Sequence, residues 1–462
     1  MIAIISMRKG KKCYIEEDNK RMFATAFKLV WPAVLESLFT QIAGFVDSLM
    51  VSPLGAGAVA AIGLTIQPRA IVLALYMAVS VAISALIARR KGQGDREDAN
   101  RLFVTMMFFV LISAVALSIV FILGADLVLK FMGSTEDTHG IAVEYFRIII
   151  AGTVFNGIQM GINSAQRGAG NSRITMITNL VGNSANIFLN YLLIGGRLGF
   201  SAMGIRGAAI ATVLGTVVAS ILSIISATWT TSYISFAYIW KNKILPSFKA
   251  FISLLHVGYS AYIEQVMMKV GFAFTAMLAA RQGTNAMAAH QVGMNLMGLS
   301  FAFGDGLQAA AVALIGFSLG AGKPEEAKKY GSICQFIGRL ISICIAVTWV
   351  IGARAIYGLF FDEAEIINYG VQIMYIMVLA VLVQVPQVIT MGCLRGAGDT
   401  VYTAIVSVIS AAFIRSMSSF FFCYVLKLGI SGIWFGVFTD QLVRLMCATV
   451  RYRKDKWINI KI

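Results

Sequence analysis

Two rows of polar residues repeat with helical spacing inside apolar stretches of this sequence. Glu36, Thr40 and Asp47 are separated by four and then seven residues, so they share one face of a helix. An acidic side chain in a bilayer costs roughly 3 kcal/mol or more, and an unpaired one needs a proton or a cation to be tolerated. Asp47 is therefore a candidate for binding H⁺ or Na⁺.

Asparagines form the second row. Its members are Asn179, Asn183, Asn186 and Asn190. Polar positions on the neighbouring segments are Tyr145, Asn156, Asn163 and Thr212. Two interpretations are open: the rows line a hydrated pocket, or the amides join neighbouring helices through hydrogen bonds worth about 1 kcal/mol each.

Membrane-spanning helices must position these rows, because the composition excludes a soluble protein. Of 462 residues, 58% are hydrophobic and 13% are charged. The apolar runs are long enough to cross a hydrocarbon core about 30 Å thick. The predicted spans are 27–51, 57–88, 102–124, 141–164, 174–195, 205–230, 251–280, 285–318, 332–358, 368–394, 401–426 and 430–450. Twelve spans predict an all-α membrane protein.

The net charge of +16 does not indicate nucleic-acid binding. The basic residues are scattered between apolar runs instead of forming one basic module. Six cysteines without C-x-x-C spacing and only three histidines argue against a zinc site or a disulfide framework. We expect no cofactor and no metal, apart from Na⁺ near Asp47. The expected partners are a small organic substrate and the lipid bilayer.

Lys and Arg predict the orientation, since they accumulate on the cytoplasmic side of membrane proteins. With a cytoplasmic amino terminus, the basic residues left in outer loops are Lys130, Arg197, Arg206, Arg281, Arg354 and Lys427. The first residues contain no apolar stretch long enough for a signal peptide. We expect a monomeric, multi-pass protein of the plasma membrane with both termini in the cytoplasm.

The two halves of the chain carry the same motifs 228 residues apart. The matching segments are 55–61 with 283–289, 92–99 with 320–327, and 167–170 with 395–398. Glu36 falls on Glu264 at the same offset. Because each half has an even number of spans, the repeat predicts two homologous six-helix bundles related by a pseudo-two-fold axis along the membrane normal.

The repeat divides the chain into five regions. They are a cytoplasmic amino-terminal tail (1–24), an amino-terminal lobe of six helices (25–230), a cytoplasmic linker (231–250), a carboxy-terminal lobe of six helices (251–452) and a cytoplasmic tail (453–462). Each repeated Gly-x-Gly turn is expected to end one helix, after which Asp95 caps the next one or Pro324 opens it.

The repeated motifs resemble those of the multidrug and toxic compound extrusion (MATE) family, within the multidrug/oligosaccharidyl-lipid/polysaccharide flippase superfamily. The resemblance is carried by 46–51 (Val-Asp-Ser-Leu-Met-Val), both Arg-Gly-Ala-Gly loops, both Gly-x-Gly-x-x-Glu-x-Ala turns and 204–212. It implies a V-shaped antiporter, not an enzyme. Such a protein exports organic cations or amphipathic drugs and toxins by alternating access, in exchange for H⁺ or Na⁺.

In one branch of that family, an Asp, a Tyr, an Asn, a second Asp and a Thr bind the coupling ion. The resemblance places this network on Asp47, Tyr145, Asn186, Asn190 and Thr212. Asn190 departs from the pattern, since the branch has Asp there. One carboxylate instead of two favours proton coupling, although neutral oxygens can still hold Na⁺. A second branch has essential acids on helices seven and ten, and 368–394 contains none.

Glu36 and Glu264 are candidates for cleft residues that attract cationic substrates. Lys269 and Asp305 are further charges in the second half, expected to pair with each other or with Glu264. The alternative function is a flippase of a lipid-linked oligosaccharide or another lipid precursor, whose cleft would need several cations for pyrophosphate. An intramembrane enzyme would need a reactive constellation that the sequence lacks.

Overall fold

Twelve long helices make up most of the part of the chain that the structure describes. This computed structural model describes residues 2–134, 136–228 and 232–460, with the backbone alone for 2–19, 52, 56, 59 and 60. The long helices are α1 (Ile2–Val51), α2 (Ala56–Gln93), α3 (Arg96–Leu123), α4 (Glu136–Gly168), α5 (Ser172–Leu193), α6 (Gly204–Thr228), α7 (Phe248–Ala280), α8 (Thr284–Gly320), α9 (Pro324–Gly358), α10 (Ala364–Gly396), α11 (Thr400–Val425) and α12 (Gly429–Arg453).

Shorter elements connect or interrupt these helices. The connecting helices are Ala125–Phe131 and Phe236–Lys241, and 3₁₀ turns span Ser52–Leu54 and Lys456–Asn459. Two π-helical turns, Ile409–Ile414 and Phe421–Val425, interrupt α11. Each π turn adds a residue to the local register, so α11 and α5 do not match residue for residue along their whole length.

Within the described residues, eleven of the long helices are apolar enough to cross a membrane by length and composition. The exception is α5, which carries the four asparagines on its 22 residues. With α5, the fold has the twelve transmembrane helices in two bundles that the sequence predicts.

Helix boundaries reproduce the internal repeat. The starts of α2 to α5 and of α8 to α11 are 228 residues apart, as at Ala56 and Thr284 or Arg96 and Pro324. The Gly-x-Gly turns also form as expected. The Asp95 side chain accepts a hydrogen bond from the backbone N–H of Asp98 at 2.9 Å, and Pro324 occupies the first turn of α9.

The two lobes meet on the side where the linker between α6 and α7 lies, which we call the linker side. There α2 and α8 approach closely at Gly92 and Gly320, which are equivalent in the repeat. A β-carbon on Gly92 would overlap the carbonyl oxygen of Phe317, and one on Gly320 would overlap that of Arg89. In addition, α1 packs against α8 and α7 against α2, so each lobe contributes its first helix to the interface.

Two region boundaries differ from the sequence-based ones. Helix α1 begins at Ile2 instead of after a 24-residue tail, although the side chains of 2–19 lie outside the described residues. Residue 231, where the linker was expected to begin, lies outside the described residues. The linker ends at Ser247, whose backbone is extended, and α7 starts at Phe248 instead of at residue 251. In the expected tail 453–462, the structure describes residues as far as 460.

Candidate functional site

A cavity of about 680 Å³ lies inside the amino-terminal lobe, between α1, α2, α4, α5 and α6. All five residues assigned to the coupling network line it: Asp47, Tyr145, Asn186, Asn190 and Thr212. The structure thus brings together side chains that are separated by up to 165 positions along the sequence.

Three hydrogen bonds connect the two polar rows across the α1–α5 interface. Asn179 Nδ2 donates to Glu36 Oε1 at 2.6 Å, and Asn190 Nδ2 donates to Asp47 Oδ1 at 2.7 Å. Between them, Asn183 Nδ2 lies 3.5 Å from Thr40 Oγ1. Each pair is separated by 143 residues, as expected for two helices that run in the same direction in a fixed register. The asparagine row therefore joins the helices and lines the cavity at the same time.

Neutral donors hold the Asp47 carboxylate. Besides Asn190, Asn186 faces it: with its amide turned toward the acid, Asn186 donates to the two carboxylate oxygens at 2.8 and 3.0 Å. Its amide oxygen then accepts from the backbone N–H of Thr212 at 3.2 Å. Within the described part of the chain, no basic side chain lies within 4.0 Å of Asp47. Tyr145 is 7% exposed and packs beside Val51 and Ile149.

Sequence analysis overlooked Arg69, which reaches the same cavity from α2. Its Nε atom is buried and has no hydrogen-bond partner within the described residues. The available signal was a single basic residue inside a long apolar run, directly after Pro68. Because Met297 occupies the equivalent position of the second half, the repeat did not draw attention to it.

The two duplicated glutamates form equivalent ion pairs. Glu36 Oε1 lies 3.1 Å from Arg167 Nη1, and Glu264 Oε1 lies 2.5 Å from Arg395 Nη2. Both arginines belong to the Arg-Gly-Ala-Gly loops, which are themselves 228 residues apart. Glu36 also accepts a hydrogen bond from Thr175 Oγ1 at 2.8 Å.

The expected pairing of Lys269 with Asp305 or with Glu264 is wrong. Glu264 is instead paired with Arg395, which also donates a hydrogen bond to Gln308 Oε1 at 2.8 Å. A planar guanidinium can serve both acceptors at once, whereas an ammonium group lacks that fixed geometry.

A second cavity of about 380 Å³ lies between the lobes. Its charged lining residues are Arg167, Glu264, Lys269, Asp305, Arg395 and Arg444. Glu36 therefore faces the cavity of the amino-terminal lobe, while Glu264 faces the interlobe cavity.

A buried charge cluster in the carboxy-terminal lobe was also missed. Asp440 Oδ2 lies 2.5 Å from Arg415 Nη2 and 2.5 Å from Arg444 Nη2. Asp440 and Arg415 are completely buried. The i,i+4 spacing of Asp440 and Arg444 was a readable signal, whereas Arg415 follows a π turn that displaces it from the repeat register.

The sequence is similar to those of known proteins along most of its length. The MatE family model matches residues 32–192 and 260–421, one segment in each lobe. "Probable multidrug resistance protein NorM" of Thermotoga maritima is 27% identical over 449 residues, which cover 96% of this chain and 94% of that protein. The protein of the same name from Pseudomonas putida is 26% identical over 429 residues, covering 92% and 91%.

Solved structures show the same fold. A MATE transporter in an outward-facing conformation superposes with a TM-score of 0.88 at 22% identity, covering 94% of this chain and 95% of that chain. A superfamily transporter from Pyrococcus furiosus, described as having a binding pocket of reverse polarity, gives 0.87 at 22% identity and the same coverage. The family model covers more than half of the chain, so this protein belongs to the MATE family of membrane transporters.

Proposed function

We propose that the protein exports organic cations or amphipathic drugs and toxins by alternating access, in exchange for protons carried on Asp47. The observation that supports this most is the environment of Asp47: a single carboxylate, held by neutral amides, that lines a cavity inside the amino-terminal lobe. Such a group can gain or lose a proton without first breaking an ion pair.

The proton would act on the lobes through α1. This helix carries Asp47 at one end of its polar row, and it also packs against α8 of the other lobe. Protonation removes the charge that Asn186 and Asn190 stabilise, which changes the relative energies of two arrangements of α1. The interlobe interface then follows, because it is built partly from the same helix.

The cavity size fits a drug-sized ligand, for which sites of about 300–1,000 Å³ are usual. Its lining mixes amides and hydroxyls with apolar side chains such as Ile62, Ile66 and Met160. The names of the relatives from Thermotoga maritima and Pseudomonas putida refer to multidrug resistance, which supports a drug or toxin as the substrate.

Na⁺ is the alternative coupling ion, since amide, hydroxyl and carboxylate groups lie around one point of the cavity. Asn186 and Asn190 direct N–H groups at Asp47, so both amides would have to turn to offer Na⁺ their oxygens. We favour H⁺ because only one oxygen donor near that point carries a negative charge. We further propose that the protein lies in the plasma membrane as a monomer, with the linker side facing the cytoplasm.

The flippase alternative is less well supported. Four arginines line the two cavities. Arg69 has no carboxylate partner among the described residues, whereas Arg167 is hydrogen-bonded to Glu36, Arg395 to Glu264 and Arg444 to Asp440. A pyrophosphate would have to displace these acids.

Proteoliposomes with separately imposed gradients test the proposal. Efflux of a fluorescent organic cation is followed under a pH gradient and under a Na⁺ gradient, with the membrane potential clamped in both. We expect uphill movement with the pH gradient alone. Uphill movement that requires Na⁺ at constant pH would contradict proton coupling, and no uphill movement in either case would contradict the antiport.

A further inference from the structure

We infer that residues 454–460, which follow α12 and which we call the tail segment, stabilise the arrangement in which the two lobes are closed on the linker side. Arg89 of the amino-terminal lobe supplies the contact. This inference goes beyond the proposed export, because it assigns a conformational role to residues outside both cavities. It rests on the proposed function only in that alternating access requires the linker side to open.

The tail segment is anchored on the carboxy-terminal lobe. Trp457 is completely buried, and its ring stacks on that of Tyr452 with the ring centroids 4.9 Å apart. Trp457 Nε1 also donates a hydrogen bond to the backbone oxygen of Tyr452 at 2.8 Å. Asp455 Oδ2 lies 2.8 Å from Lys328 Nζ of α9, and Ile458 packs against the apolar core of the lobe. The tail segment should therefore move together with this lobe.

Arg89 binds the tail segment from the other lobe. In the last turns of α2, Arg89 Nη2 donates to the backbone oxygen of Ile460 at 2.8 Å. Arg89 Nη1 lies 3.4 Å from the backbone oxygen of Ala397, in the second Arg-Gly-Ala-Gly loop. Both acceptors belong to the carboxy-terminal lobe. The planar guanidinium suits this role, because its N–H groups point in fixed and different directions.

The equivalent part of the amino-terminal lobe is held differently. The chain that follows α6 is bound by Arg96 of the same lobe, which donates to the backbone oxygens of Ser232 at 2.7 Å and Tyr233 at 3.1 Å. In the second repeat, the position of Arg89 is occupied by Phe317, whose side chain has no hydrogen-bond donor. Opening the linker side would leave the contacts of Arg96 intact but would separate Arg89 from the tail segment.

The contact lies where the two lobes approach most closely on the linker side. Gly92 and Gly320 bring α2 and α8 together there, and the backbone oxygen of Arg89 itself would overlap a β-carbon on Gly320. When the lobes separate at this point, the Arg89 guanidinium loses both carbonyl acceptors at once. Hydrogen bonds from a charged donor stabilise more than neutral ones do, so the tail segment should favour the closed arrangement.

Spin labels on the linker side measure this opening directly. Glu97 in α3 and Lys323 before α9 are exposed, and each follows one of the Gly-x-Gly turns. Labels are attached to Glu97→Cys and Lys323→Cys in a protein whose native cysteines are replaced by alanine or serine. Their separation is measured in lipid nanodiscs by pulsed electron paramagnetic resonance, without any gradient. With Arg89 and the tail segment intact, the shorter distance should predominate.

Changes on either side of the contact should then have the same effect. Arg89→Met, and a chain that ends after Arg453, should each raise the ratio of open to closed linker sides about tenfold, because a charged donor loses its acceptors. The combined variant should open no further than the shortened chain, since both changes remove one interaction. The matched control is Arg90→Met, because Arg90 is the next residue and pairs with Asp98 of its own lobe at 2.6 Å.

Hydrogen–deuterium exchange of the tail segment distinguishes this role from a folding defect. In Arg89→Met, the backbone N–H groups of the tail segment should remain protected, because Trp457 and Asp455 still anchor it on the carboxy-terminal lobe. Trp457→Ala should remove that protection and open the linker side as well. Loss of protection in Arg89→Met would show that Arg89 only helps the tail segment to fold, which contradicts the inference.

The inference is also overturned if Arg89→Met keeps the distance of the intact protein, or if Arg90→Met opens the linker side equally. Additive opening in the combined variant would have the same meaning, since Arg89 and the tail segment would then act separately. These distances do not depend on which ion drives export. If Arg89→Met opens the linker side but the unmodified protein shows no pH-driven export, the proposed function alone is contradicted.

Discussion

The two lobes have the same arrangement of helices, but one equivalent position lines a cavity in the amino-terminal lobe and holds a buried ion cluster in the carboxy-terminal lobe. Helices α6 and α12 both begin with Gly-Ile-x-Gly, at Gly204 and Gly429, which places Asp440 at the position of Gly215. In the amino-terminal lobe, Gly215 packs directly against Asn186 and lines the cavity. In the carboxy-terminal lobe, Asp440 pairs with Arg415, so a buried ion cluster fills the corresponding place.

The buried acids of the two lobes also differ, both in position and in the groups that they contact. Thr275 occupies the repeat position of Asp47, so the carboxy-terminal lobe has no acid there. Its own buried acid, Asp440, has two arginine partners, whereas Asp47 has only amide donors. An acid between two guanidinium groups stays ionised, since losing its charge would leave both uncompensated. We therefore expect ion coupling in one lobe and rigidity in the other.

The largest expected effect is that of Asp47→Asn. The amide resembles the protonated acid but cannot release a proton, so pH-driven export should fall to background. Dye efflux from proteoliposomes under a pH gradient measures this. The matched control is Asp362→Asn, which removes an exposed carboxylate outside both cavities. Export by Asp47→Asn at a near wild-type rate would remove the functional difference between the lobes.

Asp440→Asn should instead act on stability. It leaves Arg415 and Arg444 buried without a counter-charge, which costs about 3–5 kcal/mol. Heating the purified protein in detergent and recording the loss of monomer by size-exclusion chromatography measures the effect. Replacing the whole cluster by apolar residues (Arg415→Met, Asp440→Leu and Arg444→Met) should recover part of the loss. If Asp440→Asn is stable and uncoupled from the pH gradient, the assignment of roles to the two lobes is reversed.

The helices and the two bundles could be predicted from the sequence, because they depend on composition and on the spacing of repeated motifs. Long apolar runs gave the twelve spans, and the fixed offset gave the two bundles. The five residues that the family resemblance assigned to a coupling network all line one cavity, while their role in coupling stays a prediction.

Features set by three-dimensional packing were missed. Arg395 reaches Glu264 from 131 positions away, and no local pattern identifies that partner. The role of Arg415 was not predicted because the π turn at Ile409–Ile414 moves this residue out of the repeat register. The same shift concealed that the Arg415–Asp440 pair replaces the contact of Asn186 with Gly215.

A smaller effect is expected from the duplicated glutamates. Because Arg167 and Arg395 hold them, Glu36→Gln and Glu264→Gln should each destabilise the protein by about 2–3 kcal/mol. Export of cationic and neutral substrates should then fall in the same proportion. Thermal stability and efflux of a cationic and a neutral dye, measured on the same preparations, provide the comparison. A selective loss of the cationic dye would return these acids to the role of substrate receptors that the sequence suggested.

The smallest expected change is the most specific one for the amino-terminal lobe. Asn190→Asp puts a second carboxylate at a position now 2.7 Å from Asp47 Oδ1, and two adjacent carboxylates repel each other unless a cation lies between them. With Thr212 and Asn186 close by, the pair would offer Na⁺ the oxygen ligands that it prefers. We expect a several-fold gain in Na⁺-dependent stabilisation and some Na⁺-driven export, measured by thermal unfolding in NaCl against KCl and by efflux under a Na⁺ gradient. Ser419→Asp, at the position of α11 that corresponds to Asn190 once the π turn is counted, is the matched control and should gain no Na⁺ response, because Thr275 replaces the first carboxylate there. If Asn190→Asp also responds equally to Na⁺ and K⁺, the asparagine row serves only to join α1 and α5, and the distinction between a coupling lobe and a rigid lobe must rest on Asp47 alone.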